Sequence, residues 1–237
     1  MAKLAGGIAF ALFVHLWWRA GGVATGPVWV RLDRAPAIAW DLALLAGFFA
    51  AHSGFASEAF KRRFALPRAA MRRLYLWLTL PVMLLVWGLF VPLGQPVVWD
   101  ARGWLEGPFL AIRLLALAGL AWTVRSFSVA DFFGDPRPGA PAGGAARLSV
   151  AGAFVLCRHP LYFFMTLLAA AETFMPLGRG LLAGALLVYV AVGSRLEETK
   201  LARDFGADYA RYRAGTPWLL PTTASIARAV RRRRSAG

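Results

Sequence analysis

RHPLYFFMTLLAAAETFMPLGRGLLAGALLVYVAVGSRLEE, residues 158–198, decides how this chain folds. Two polar clusters, Arg158-His159 and Glu197-Glu198, bracket a stretch of mostly apolar residues. Pro176-Leu177-Gly178-Arg179-Gly180 interrupts the stretch with residues that break regular elements, so a turn is expected there. The expected result is a tight helical hairpin, 161–177 and 180–194, that returns both clusters to one membrane face. The chain has only twelve acidic residues, so two adjacent ones leaving an apolar segment stand out. There they oppose the negative end of a helix dipole, a cost that a cationic partner offsets.

Outward from this hairpin the whole chain reads as membrane protein. Hydrophobic residues make up 59% of the sequence and charged residues 16%, with mean hydropathy +0.55, outside the range of ordinary soluble domains. Ten tryptophans and seventeen phenylalanines suit the aromatic belts of a bilayer interface. Further apolar segments lie at 4–18, 35–56, 74–93 and 108–127. The net charge of +15 suggests nucleic acid in a soluble protein, but no recognition motif accompanies it and no nucleic-acid partner is expected. A single cysteine, Cys157, leaves no intramolecular disulfide and no multi-cysteine metal site. His15, His52 and His159 lie on three different segments, so no metal is expected.

Charge sets the orientation. The 57–73 loop, SEAFKRRFALPRAAMRR, holds six Lys or Arg, and the tail is also basic, whereas the 94–108 connection has only Arg102 beside Asp100 and Glu106. By the positive-inside rule the 57–73 loop, the 125–160 segment and the tail face the cytoplasm. The 19–34 loop, placed outside, carries Arg19, Arg31 and Arg34 against this rule. Lys3 followed by 4–18 also has the form of a signal peptide, but no small-residue cleavage pattern follows Trp17-Trp18, so a retained helix is expected. GDPRPGAPAGGAAR, residues 134–147, reads as a cytoplasmic loop running into the first cluster. The Arg231–Arg234 run reads either as a contact with anionic lipid heads or as a tail without structure.

The clusters carry chemistry. Pro160 suits the first turn of a helix, whose free N–H groups with Arg158 make a carboxylate site. Taken alone, the plainer reading is Arg158 as an interfacial anchor and His159 as a helix cap. Glu197 and Glu198 offer an ammonium site, or a solvated face paired with Arg195, Lys200 and Arg203. Leu201, Phe205, Tyr209 and Tyr212 form one helical stripe with a kink expected at Gly206. Its phenols either pack or face a purine or a cation. No glycine-rich loop follows a strand, so a Rossmann-type domain is not encoded. The residues alone lead to a zwitterionic ligand site at a membrane surface.

Arg158-His159-Pro160-Leu161-Tyr162, Glu197-Glu198, Phe205-Gly206-Ala207-Asp208-Tyr209, Arg211-Tyr212 and Thr216-Pro217-Trp218-Leu219-Leu220-Pro221 resemble the C-terminal signature of the isoprenylcysteine carboxyl methyltransferase superfamily. Within it, Asp41 to Leu45, Ala51-His52-Ser53, Phe60-Lys61-Arg62, Val98-Trp99-Asp100 and Asp131 to Gly134 are most similar to methanethiol S-methyltransferases, with NnrU-type membrane proteins related. The resemblance implies an all-α polytopic integral membrane protein with five or six transmembrane helices, a C-terminal helical hairpin and a cytoplasmic cofactor site. It implies N-terminal transmembrane helices over 1–127, a methyltransferase core over 128–221 and a basic tail over 222–237. The implied cofactor is S-adenosyl-L-methionine, bound by His159, Pro160, Tyr162, Glu197, Glu198, Tyr209 and Tyr212. The implied acceptor is a small apolar thiol, or in a second reading an isoprenoid or lipid, methylated at the inner membrane among its lipids. A non-catalytic membrane protein of NnrU type is the third reading.

Arg158 and His52 are the catalytic candidates. His52 ends the second apolar segment on the expected cytoplasmic side, where an imidazole can accept a thiol proton or orient substrate. A His binding a backbone carbonyl at a helix end is the plainer reading. Family members commonly have glycine two residues after the tyrosine of the first cluster; Phe164 stands there here, so it joins His52 as a substrate-binding candidate. Glu172 lies deep in an apolar segment, where a carboxylate is costly, and is either functional or reached by water. Asp131 and Arg125 either close the cofactor site or form a local ion pair.

Overall fold

The computed structural model describes residues 2–22, 28–64, 66–126, 148 and 150–234. In chain order the elements are α1 (Ala2–Ala20), α2 (Arg34–Ala56), α3 (Glu58–Lys61), α4 (Arg68–Leu89), β1 (Val97–Asp100), α5 (Glu106–Ser126), a 3-10 turn (Gly152–Val155), α6 (Pro160–Ala170), β2 (Phe174–Pro176), α7 (Leu177–Gly215) and α8 (Thr223–Arg234). The chain is an all-α polytopic membrane protein. Among the described residues, α2, α4, α5 and α7 are long and apolar enough to cross a bilayer. Leu114, Leu115 and Leu117 on α5 are exposed, as a lipid-facing surface requires. The 134–147 loop and Asp131 lie outside the described residues.

Two compact units form. The first holds α1 to α4, both strands and α7 as far as Tyr189. Its core joins Leu16 and Ala20 of α1, Leu45 of α2, Met83 and Val86 of α4, Phe90 and Leu182. Arg19, read from sequence as an external loop charge, instead belongs to α1 and is fully buried, its guanidinium 5.7 Å from the centre of the Trp87 ring. That removes one of the three charges that opposed the orientation. Asp41 is also buried and accepts the Val91 N–H at 2.9 Å, just past the end of α4. His15 accepts from Trp87 Nε1 at 2.7 Å, a satisfied packing histidine.

β1 and β2 pair antiparallel, with Trp99 opposite Met175 and Asp100 opposite Phe174. This ribbon corrects the expected fifth span. The apolar run 161–177 is helical only to Ala170, and eleven residues at about 1.5 Å each cover about half of a hydrocarbon core of about 30 Å. The break falls at 171–176, and Leu177 to Gly180, expected as the turn, already belong to α7. Apolar composition could not reveal this, because a strand pairing with residues 97–100 is non-local.

The second unit holds most of α5, the 3-10 turn, α6, α7 from Val190 and α8. Arg113, from within α5, explains where α6 stops. Its Nε donates to the Ala171 carbonyl at 2.6 Å and its Nη2 to Glu172 Oε2 at 3.1 Å. The guanidinium takes up a carbonyl that the helix end leaves free, and Glu172 supplies its counter-charge. Phe164 sits flat on α5: a Cβ built on Gly119 would fall 2.2 Å from its ring, so only glycine fits beneath it. α7 bends at Gly206, whose φ of 48° and ψ of −120° are closed to other residues.

Candidate functional site

The site is built where the chain entering α6 meets the segment after α7. Arg158 N–H donates to the Pro217 and Trp218 carbonyls at 2.9 and 3.1 Å, and His159 N–H to Trp218 O at 3.2 Å. Trp218 Nε1 in turn donates to Ser194 Oγ at 3.2 Å, tying the same segment to α7. Motifs almost sixty residues apart in sequence are thus joined by backbone hydrogen bonds. His159 is the residue before the helix and Pro160 opens it, where a missing N–H costs nothing.

Onto this frame the charges converge. Glu198 Oε1 accepts from Arg158 Nε at 2.7 Å and lies 3.2 Å from His159 Nε2. Glu197 Oε2 lies 3.5 Å from His159 Nδ1, too long for a good hydrogen bond. The side chains of Arg158 and Glu198 are 12% and 13% exposed and that of His159 3%, whereas that of Glu197 is 49% exposed. Arg158 Nη1 donates further to the Thr216 and Arg213 carbonyls, at 2.8 and 3.2 Å. Arg158 therefore orders the C-terminal segment as well as facing Glu198.

The aromatic candidates differ from one another. Tyr209 is buried, and its hydroxyl meets no well-placed hydrogen-bond partner among the described residues. Tyr212 is committed, donating to the Phe154 carbonyl at 2.9 Å. The Tyr162 ring stacks on His159 with centroids 5.6 Å apart. Burial pushes the Cys157 thiol up to about 12, so it is a packing group and no nucleophile at neutral pH. A cavity of about 400 Å³ is lined by Arg158, Ala202, Gly206, Tyr209 and Arg213. A second, of about 800 Å³, is lined by Phe154, Phe205, Asp208, Arg211, Tyr212 and Arg228. Among the described residues no group of three or more His, Cys, Asp or Glu is placed to hold a metal ion.

No family model matches the chain. No solved structure matches it either. Curated relatives do. A protein of Pseudomonas deceptionensis named methanethiol S-methyltransferase is 29% identical over 213 residues, 81% of this chain and 78% of the relative. Methanethiol S-methyltransferase 2 of Bradyrhizobium diazoefficiens is 31% identical over 198 residues, 78% of this chain and 73% of the relative. The chain belongs to the methanethiol S-methyltransferase family. It is a methyltransferase, and the RHPLY and Glu197-Glu198 clusters of this family member are the residues that the fold gathers.

The remaining candidates of this methyltransferase have other partners. His52 belongs to the first unit, on α2, where the Tyr75 hydroxyl lies 2.7 Å from its Nε2 and 3.1 Å from its Nδ1. Phe48 stacks on its ring and Tyr189 meets it edge-on. Phe164 is buried against Gly119 in the packing of α5 on α6. Glu172 is held by Arg113. Sequence reasoning missed Arg113 and Tyr75. Arg113 was findable: it is the one charged residue between Glu106 and Arg125, and a second intramembrane charge is the natural partner for Glu172. Tyr75 carries no such signal, since an aromatic in an apolar helix is ordinary.

Proposed function

We propose that this methyltransferase carries a methyl group from S-adenosylmethionine to a small thiol such as methanethiol, giving dimethyl sulfide. The observation that carries the reading is membership in the methanethiol S-methyltransferase family. The donor set fits the proposed cofactor. Tyr209 brings a buried hydroxyl, beside Glu198 but in no well-aligned hydrogen bond, to the cavity that Arg158 also lines, where a carboxylate or ribose ligand can meet it. Glu197, half-exposed and 3.5 Å from His159 Nδ1, offers a carboxylate to an ammonium group. His159, Pro160, Tyr162, Glu198 and Tyr212 complete the proposed cofactor residues.

S-adenosylmethionine, when bound, supplies an electrophilic methyl on a sulfonium. Arg158 and Glu198 fix each other and hold the C-terminal segment in place, so the binding groups are preorganised. The acceptor thiol would give up its proton as its sulfur takes the methyl that the bound donor would supply. His52 is the proposed base, with its ring set by Tyr75 and Phe48. Phe164 acts on acceptor choice by fixing the spacing of α5 and α6 over Gly119. The basic 57–73 loop supports an inner-membrane orientation with the cofactor side in the cytoplasm.

The test is a calorimetric titration of the purified protein with S-adenosylmethionine, followed by headspace analysis for dimethyl sulfide after methanethiol is added. Saturable binding with dimethyl sulfide production is expected. No saturable binding up to about 1 mM, the top of the ordinary KM range of about 1 μM to 1 mM, removes the cofactor assignment. Binding without dimethyl sulfide transfers the acceptor to the isoprenoid or lipid class.

A further inference from the structure

α8 is a capped and seated helix with one exposed apolar face. Thr222 N–H donates to Ser225 Oγ at 3.0 Å and Ser225 N–H to Thr222 Oγ1 at 3.2 Å, a reciprocal cap that fixes the first turn. Arg228 Nη2 donates to the Gly215 carbonyl at 2.7 Å, tying α8 to the end of α7. Ser225 is fully buried, so its side of the helix is seated on protein. Ile226 and Val230, four residues apart and hence on one face, are 48% and 49% exposed, and Leu220 just before the helix is 69% exposed.

The charge around this face has one sign. No Asp or Glu follows Asp208 in the chain, whereas α8 contains Arg228 and the run Arg231–Arg234. Two aliphatic side chains and their neighbours are too small a stripe for a stable protein interface, which needs about 1,000 Å² or more. An apolar stripe on a basic helix is the form that lies in a membrane interface. Clustered arginines next to a membrane-spanning segment are drawn to anionic headgroups.

We propose that the Ile226–Val230 face of α8 lies on an anionic phospholipid bilayer, with the exposed Arg231 at the level of the headgroups. The contact holds the end of α7, through Arg228 and Gly215, at the membrane surface. It requires neither the proposed methyl donor nor the proposed acceptor.

The experiment uses the full-length protein in nanodiscs of phosphatidylcholine alone or mixed with phosphatidylglycerol. Trypsin cleavage after Arg228 and Arg231 is followed by mass spectrometry. Cleavage there is expected to be at least tenfold slower in the anionic discs, and to recover in 1 M salt, where the screening length is about 3 Å. The double variant Ile226→Ser/Val230→Ser is expected to lose most of that protection while cleavage within 57–73 stays unchanged. Equal cleavage in both lipids overturns the proposal. So does equal protection in both lipids that salt does not reverse, since that places the face against protein. Full protection of the double variant overturns the role of the apolar face.

Discussion

Glu198 concentrates the order of the site in one atom, because its Oε1 accepts from Arg158 and lies within reach of His159. Glu198→Gln leaves the Arg158 guanidinium enclosed without its counter-charge. The expected loss is about 2 kcal/mol, below that of a fully buried pair because each side chain keeps some solvent contact. The unfolding midpoint in detergent measures it, and an unchanged midpoint would show that the pair contributes nothing. Cys157 makes a second prediction with a definite sign. Its folded thiol is raised from 9.0 to about 12, first by burial, so only the unfolded chain releases this proton between those values. Stability contributed by the protonated thiol is therefore complete below pH 9 and is lost as pH rises above it. Cys157→Ala should flatten the fall in unfolding midpoint between pH 9 and pH 11; the same slope in both proteins would remove the thiol from that account. Of these residues, the meeting of the two clusters was legible in the sequence, but Arg158 and Glu198 were read as separate sites for a ligand's carboxylate and ammonium, and their pairing with each other was not. That Arg158 also binds the carbonyls of Arg213 and Thr216 was not, since a backbone acceptor leaves no trace in residue type.

At the scale of elements, two glycines hold the second unit to its shape. Gly119 lies beneath Phe164 with no room for a Cβ, so Gly119→Ala should force α5 and α6 apart and cost about 1–3 kcal/mol. Phe164→Leu in the same chain should recover part of that loss, and a thermal double-mutant cycle reads the coupling directly. Additive effects would mean that the two residues do not press on each other. Gly206 holds the bend of α7, and Gly206→Ala should cost about 1–3 kcal/mol from backbone strain alone. The bend was legible, because a glycine among helix formers marks a break. The shortness of α6 was not. Nothing in LYFFMTLLAAAETFMP separates a full span from a half span, and the two features that end the helix, Arg113 and the pairing of β2 with β1, come from distant positions. Gly119 was equally hidden, since glycine is common in membrane helices and its meaning depends on what faces it.

For the whole molecule, orientation rests on charge distributed along the first unit. α4 carries the chain from the basic stretch 57–73, whose Arg68, Arg72 and Arg73 lie in its own first turns, to the segment containing β1, and its 22 residues at about 1.5 Å each span about 33 Å, enough to cross the hydrocarbon core. The two ends of α4 therefore emerge on opposite sides of the bilayer. Six basic residues at one end and Arg102, paired with Asp100, at the other support the proposal that the basic end stays inside. The burial of Arg19 strengthens this assignment, since a charge enclosed in α1 no longer counts among the loop charges. Single-cysteine probes test it at exposed positions: Trp104, 85% exposed, follows β1, and Phe64, 40% exposed, lies in the basic loop. The native Cys157 gives little background because it is buried and its thiol stays protonated. In intact cells a membrane-impermeant maleimide should label Trp104→Cys and leave Phe64→Cys unlabelled until the membrane is opened. The reverse pattern would place six basic residues outside, and the proposed cytoplasmic entry of a charged methyl donor would lose its support with them.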